Sequence, residues 1–197
     1  IYMVANAGNM IDLQQMKEEG ISEEEWKKTT MAMSNGKVVN FFTGSLVIDG
    51  QNQPSQSLTL KRGVARFDLN VDVAGSAAIE SLTLRNVAQS GYLFAQGEVA
   101  ASPADVERND VTAHFDTALS ASTPGVLYVY EQENAGIEVS IEAVIDGQHK
   151  VLTKTLEGNL KRNTIYTVTV RKNAIDIVVK VDIDDWEPGE DTEIIPQ

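Results

Sequence analysis

"GIEVSIEAVIDGQHKVLTKTL", residues 136–156, decides the fold class. Ile137, Val139, Ile141, Ala143 and Ile145 fall on every second position, the period of a strand that buries one face. Asp146-Gly147 interrupts the alternation with a pair that tolerates positive φ, the signature of a tight hairpin. Working outward, "TIYTVTVRK" and "AIDIVVKVDID" read as a second hairpin around Lys172-Asn173. "GVLYVYEQE" is a strand whose start is set by Pro124-Gly125.

Further upstream, "SLTLKRGVARFDLNVDV" places Leu58, Leu60, Val64, Phe67, Leu69, Val71 and Val73 at strand spacing, with a phase shift at Arg62-Gly63 that suggests a bulge. "IESLTLRNVA" and "GYLFAQGEV" read as two more strands, and "KVVNFFTGSLVID" as one or two broken near Gly44. Residues 1–5 are strand-like. Convincing helices are confined to residues 11–28. Ile11, Leu13 and Met16 give a short helical pattern that Gly20 ends, and Ser22 with Glu25 makes a capping box for a second. Glu23 to Glu25 suit the first turn of that helix. The stretch 100–122 is weakly patterned and contains Pro103, so it reads as a long connection. The expectation is mainly β: two β-sandwich, Greek-key-like domains, 1–99 and 100–197, with short helices in the first.

Composition narrows the function classes. The 197 residues carry 16 Lys plus Arg against 29 Asp plus Glu, a net charge of −13, which disfavours nucleic acid and anionic membrane surfaces as partners. With no Cys, disulfides, thiolate metal sites and a Cys nucleophile are excluded. No apolar run approaches the ~20 residues of a membrane-spanning helix.

Catalytic patterns are missing. His114 and His149 stand far apart without ligand spacing, and no HExxH, GxSxG, phosphate-loop or dinucleotide-binding motif is present, so no catalytic residue, metal site or cofactor is expected. Carboxylates are too numerous for any pair to single out glycosidase chemistry. Asp182, Asp184, Asp185, Glu187, Glu190 and Asp191 cluster as hard oxygen ligands for Ca²⁺ could, but without EF-hand spacing they read as a solvated strand end. Lys61, Arg62 and Arg66 read as outward sheet positions paired with carboxylates on neighbouring strands. Trp26 reads as a core or interface residue rather than a sugar platform.

Several segments, in order, resemble the Bacteroidales-type fimbrillins, the subunits of type V pili. "IYMVANAG" before a short acidic helical stretch is similar to the start of their N-terminal domain. "LTLKRGVARFDLNV" looks like their L-x-R-x-x-A-R strand, with Arg62, Ala65 and Arg66 at the matching positions. "MAMSNGK" and "PGVLYVYEQENAG" resemble further segments. "LKRNTIYTVTV" and "VDIDDW" resemble the R-N-x-x-Y and late Trp signatures, here Arg162, Asn163, Tyr166 and Trp186.

The resemblance implies a cell-surface, outer-membrane-associated fimbrial subunit that polymerises with other fimbrial subunits and mediates adhesion, with host or bacterial surface receptors as further partners. Members are made as lipoproteins and lose a leading strand to a protease. The groove left behind takes a strand from the C-terminal part of a neighbour. The implied donor strand carries Ile175, Ile177, Val179, Val181 and Ile183; an ordinary core strand of its own domain has the same pattern. Family members carry a signal, a propeptide and leading strands before the "VANA" strand. Ile1 therefore falls beyond their usual cleavage point, and trimming of upstream residues is expected more than maturation there. Any membrane attachment would run through a lost N-terminal lipid anchor. Asp116-Thr117-Ala118 resembles the three-residue O-glycosylation signal of such bacteria. The rival expectations are a monomeric outer-surface glycan- or protein-binding lipoprotein, of tip or anchor type, and an enzyme.

Overall fold

The computed structural model describes residues 1–8, 11–48 and 57–180. Its elements, in chain order, are β1 (Tyr2–Ala5), α1 (Leu13–Glu19), α2 (Glu23–Lys27), β2 (Thr30–Ala32), β3 (Phe42–Ser45), β4 (Lys61–Arg62), β5 (Val64–Val71), β6 (Ala77–Ala88), β7 (Ser90–Tyr92), β8 (Arg108–Leu119), β9 (Thr123–Tyr130), β10 (Glu138–Ile145), β11 (Gln148–Thr155), β12 (Ile165–Arg171) and β13 (Ala174–Lys180). The protein is mainly β and built around a sandwich.

One four-stranded sheet runs β11-β10-β6-β8 and the other β13-β12-β5-β9. The hairpin read from residues 136–156 is present: Ile145 opposes Gln148, and Asp146 and Gly147 have φ of 50° and 76°. Ile137, Val139, Ile141, Ala143 and Ile145 are all buried, because β10 is an inner strand and shows its full alternating face to the other sheet. They meet Ala65, Phe67 and Leu69 of β5 and Val168 and Val170 of β12 in one core. The second expected hairpin also forms, with Arg171 opposite Ala174. Between β12 and β5 the pairing is parallel.

A smaller three-stranded sheet, β1-β3-β4, and the β2-β7 pair gather with the helices around a second core. Met31, Phe41, Val64, Leu93, Phe94 and Tyr130 fill it, with Trp26 packed against its side. Both helix caps are present. Asp12 accepts from the Gln15 N–H and the Ser22/Glu25 capping box is complete.

Three expectations need correction. The stretch 100–122 is not a long connection, because Arg108–Leu119 form β8, an edge strand on β6. Its inward residues are Val111, Ala113, Phe115 and Leu119, but the pairing is irregular: His114 opposes Ser81 whereas Leu119 already opposes Ile79. That irregularity, plus small residues on an edge, hides the alternation. "GYLFAQGEV" contributes only Gly91 and Tyr92, the last two residues of β7. The shift at Arg62-Gly63 is more than a bulge. There the chain leaves the small sheet and enters the large one, and the close approach requires Gly63, where a Cβ would lie 2.0 Å from the Phe41 ring.

The large sandwich draws β5 and β6 from one side of residue 99 and β8 to β13 from the other. A boundary at 99/100 therefore does not separate the two cores. Long-range strand pairing, which leaves no mark on local composition, sets that grouping.

Candidate functional site

The motif residues converge on the seam between the two cores. Arg162 precedes β12 and reaches across the seam. Its Nε donates to Glu131, its Nη1 to the Leu93 carbonyl at 3.0 Å, and its Nη2 to the Tyr92 carbonyl at 2.9 Å. Both side chains are nearly buried, 11% exposed for Arg162 and 8% for Glu131. A charge that far from water is tolerated only when paired and hydrogen-bonded, and here both conditions are met. Asn163 takes a positive φ of 53°, which a short polar side chain accommodates. Its N–H donates to the Val64 carbonyl at 2.9 Å.

Tyr166 is buried, stacks on Phe67 at 5.1 Å, donates to the Asn159 carbonyl and accepts from the Lys161 N–H. Tyr130 does similar work in the second core, accepting from the Val39 N–H at 3.0 Å and donating to the Ala32 carbonyl at 3.2 Å. Burial pushes both phenols above their ordinary value; the backbone N–H on each pulls the other way.

Ala65 is fully buried. Arg66 donates to the Asp68 carboxylate two residues on in the same strand, at 2.5 and 2.7 Å. Arg62 lies over the Phe42 ring at 4.6 Å, and burial lowers its pKa. These motif residues are structural ties. Trp26 packs on Phe94 with ring centroids 5.4 Å apart. His149 and His114 are exposed; the first sits 3.7 Å from Glu80.

A groove beside two edge strands lies at one side of the sandwich. β8 and β9 are each one of the two edge strands of a large sheet, lie against each other, and among the described residues each pairs with one strand of its own sheet. Between them runs a groove of about 410 Å³, walled by Val111 and Ala113 of β8 and Val126 and Leu127 of β9, with Gly36 to Val38 over one end. A sheet edge beside such a groove can offer backbone groups and side-chain pockets together. Sequence reasoning missed this groove because it missed β8. The alternation Val111, Ala113, Phe115 was the available signal. Asp116, Thr117 and Ala118 are exposed, in the irregular part of the same strand.

On the opposite side, β13 pairs with β12 in its own sheet. Ile175 is buried and Ile177 packs against the main core, whereas Val178 and Val179 are 53% and 43% exposed. Val181, Ile183, Trp186 and the acidic run 182–191 lie outside the described residues. Among the described residues no helix is long and apolar enough to cross a membrane. No three His, Asp or Glu among them come together as metal ligands would.

Residues 96–183 match a family model described as a bacterial Ig-like domain. No curated protein matches the chain. Among solved structures, a candidate cell adhesion protein from Parabacteroides distasonis ATCC 8503 is similar with a TM-score of 0.60 and 16% identity, over 91% of this chain and 73% of that one. A second, from Bacteroides eggerthii DSM 20697, gives 0.59 and 13%, over 91% and 76%. The tip fimbrial protein Mfa3 from Porphyromonas gingivalis, with C-terminal truncation, gives 0.55 and 15%, over 91% and 78%. At such identities the likeness is one of fold: this chain has the architecture found in those Bacteroidales adhesion and fimbrial proteins.

Proposed function

We propose that the chain is a fimbrillin-like structural subunit of cell-surface fimbriae, associated with the outer membrane, that adds to neighbouring subunits by β-strand addition and mediates adhesion. The observation that carries the reading is the groove between β8 and β9, beside edge strands of both sheets at once. Its fold, shared with a fimbrial tip protein, supports the same conclusion. The occupant is an extended segment of a second copy, with alternate apolar side chains entering the slot and its backbone pairing with an edge. The C-terminal segment from Ile175 onward has the alternation required. Because Ile175 and Ile177 pack on the chain's own core, donation of β13 requires the strand to leave β12.

An unheated SDS gel of the full-length protein, beside a heated lane, tests the reading. A ladder that collapses on heating is expected, and Ala113→Arg or Val126→Arg should abolish it, with circular dichroism checking that each variant is still folded because both positions pack against the core. A single band in both lanes sinks polymerisation. It would favour a monomeric outer-surface binder of tip or anchor type, a reading that the retention of β13 in its own sheet supports.

A further inference from the structure

The side of the sandwich away from the β8/β9 groove is bridged by charged side chains. There β11 belongs to one large sheet and β13 to the other. Lys150, Leu152 and Lys154 of β11 stand opposite Ala143, Ile141 and Val139, so the two-residue period of a strand turns all three toward the core. Leu152 is buried and the lysines on either side of it are half-buried. A lysine at such a position keeps its stem on apolar surface and sends its ammonium past the rim. Both ammonium groups reach the other sheet. Lys154 Nζ lies 3.2 Å from Asp176 Oδ1 on β13. Lys150 Nζ donates to the Asn173 side-chain oxygen at 2.6 Å and to the Lys172 carbonyl at 2.9 Å, in the turn that leads into β13. Lys172 reaches back the other way, to within 2.6 Å of Asp146 in the β10/β11 turn.

Asp176 is shared. Its second oxygen lies 3.2 Å from Arg171 Nε, and Arg171 Nη1 lies 3.5 Å from Asp72, just past the end of β5. One exposed ion pair contributes little, because water and salt screen it. Here the pairs form a connected set on one short segment, residues 171–176. A carboxylate already oriented by one cation loses less freedom in meeting a second. The set also differs in kind from the backbone ladder. Hydrogen bonds to β12 hold β13 within its own sheet, whereas the contacts from Lys150, Lys154 and Asp146 hold it to the opposite one. Removing β13 from the sandwich must break both.

We propose that these groups form an ionic clasp that sets how readily β13 leaves its sheet. Asp176 is the centre of the clasp, Lys154 and Arg171 close on it, and the Lys150 and Lys172 contacts fix the turn beside it. The clasp loosens as ionic strength rises, so it is a salt-sensitive restraint on the strand that a neighbouring subunit would receive. That regulatory consequence rests on the strand-donation reading; the clasp itself does not.

Hydrogen exchange of the isotope-labelled full chain, followed amide by amide by NMR, tests the clasp. In low salt, Asp176→Asn and Lys154→Gln should each speed exchange of the β13 amides that bond to β12 by about three- to tenfold, relative to the amides of β10. Raising salt from about 0.05 M to about 0.5 M should do the same to the wild type and add little to Asp176→Asn. Arg85→Gln, which removes an exposed pair with Glu138 within the other sheet, should leave β13 unchanged. Exchange at β13 that neither clasp variant nor salt alters overturns the proposal. So does exchange that rises equally in β10, which would be a loss of global stability. On unheated gels both clasp variants should also give ladders sooner than the wild type. Faster exchange at β13 with no ladder from any variant would uphold the clasp and sink strand donation.

Discussion

Arg162 makes four hydrogen bonds to three separate parts of the chain, and two of them go to backbone carbonyls that have little access to water. Removing the guanidinium leaves Glu131 charged and buried without a partner. Arg162→Ala should therefore cost about 3–5 kcal/mol of stability, and Glu131→Gln should also destabilise. Replacing both by apolar residues of similar volume should recover much of that loss, because the desolvation of two charges disappears with the pair. Urea unfolding of the three variants measures this; a loss in the double variant equal to the sum of the two single losses would show that the pair is not a coupled unit. The sequence made Arg162, Asn163 and Tyr166 visible as a motif. It did not make Glu131 visible, because a partner 31 residues away, just past the end of β9, obeys no local pattern.

At the scale of elements, hairpins were the most legible part of the chain. The β10/β11 turn needs two consecutive residues at positive φ, and Asp146-Gly147 announces that locally. The same Asp146 ties the turn to its surroundings. Lys172 approaches at 2.6 Å and the Ser76 N–H donates at 3.2 Å, and these bonds, Lys172 first, hold the carboxyl below its ordinary value. A depressed carboxylate pKa contributes stability that is present above the unfolded value of 3.8 and is lost as pH falls through the lowered folded value. Asp146→Asn keeps the turn geometry and removes the charge. Wild type should melt above this variant near neutral pH, and the gap should close on acidification through that window. A gap independent of pH would mean that the ion pair is not its cause.

Strand β8 marks the limit of local reading. Its apolar residues are spaced by two only from Val111 to Phe115, and the irregular pairing with β6 breaks the pattern before Leu119. An edge strand also tolerates more polar and small residues than an inner one, since less of it is buried. β10 is the opposite case: both neighbours are strands, its inward face is wholly apolar, and its sequence reads without ambiguity.

At the scale of the molecule, two buried tyrosines stand in two different cores, Tyr166 in the large sandwich and Tyr130 in the smaller one. Both have pKa values raised by burial above 10.0. For a group whose folded pKa is raised, the folded state holds its proton longer. Stability is thus undiminished below about pH 10 and falls as pH rises through the folded values. Tyrosinate absorbance followed against pH should show the exposed phenols ionising first, then a steep, cooperative rise that coincides with loss of near-ultraviolet dichroism. A single non-cooperative titration of all five tyrosines would contradict the buried positions of Tyr130 and Tyr166.

By itself the sequence determined the β class, the two hairpins, the Ser22/Glu25 cap of the second helix and the inward face of β10. Each of these rests on interactions between residues near in the chain, or on the alternation that a half-buried strand imposes on itself. Tertiary structure alone decided that β5 and β6 join β8 to β13 in one sandwich, that β12 lies parallel to β5, and that β8 and β9 end their sheets on the same side and leave a groove. Pairing between distant strands is made by backbone hydrogen bonds common to every residue. The choice of partner therefore leaves no local mark in the residues, and it is the packing of the whole that selects it.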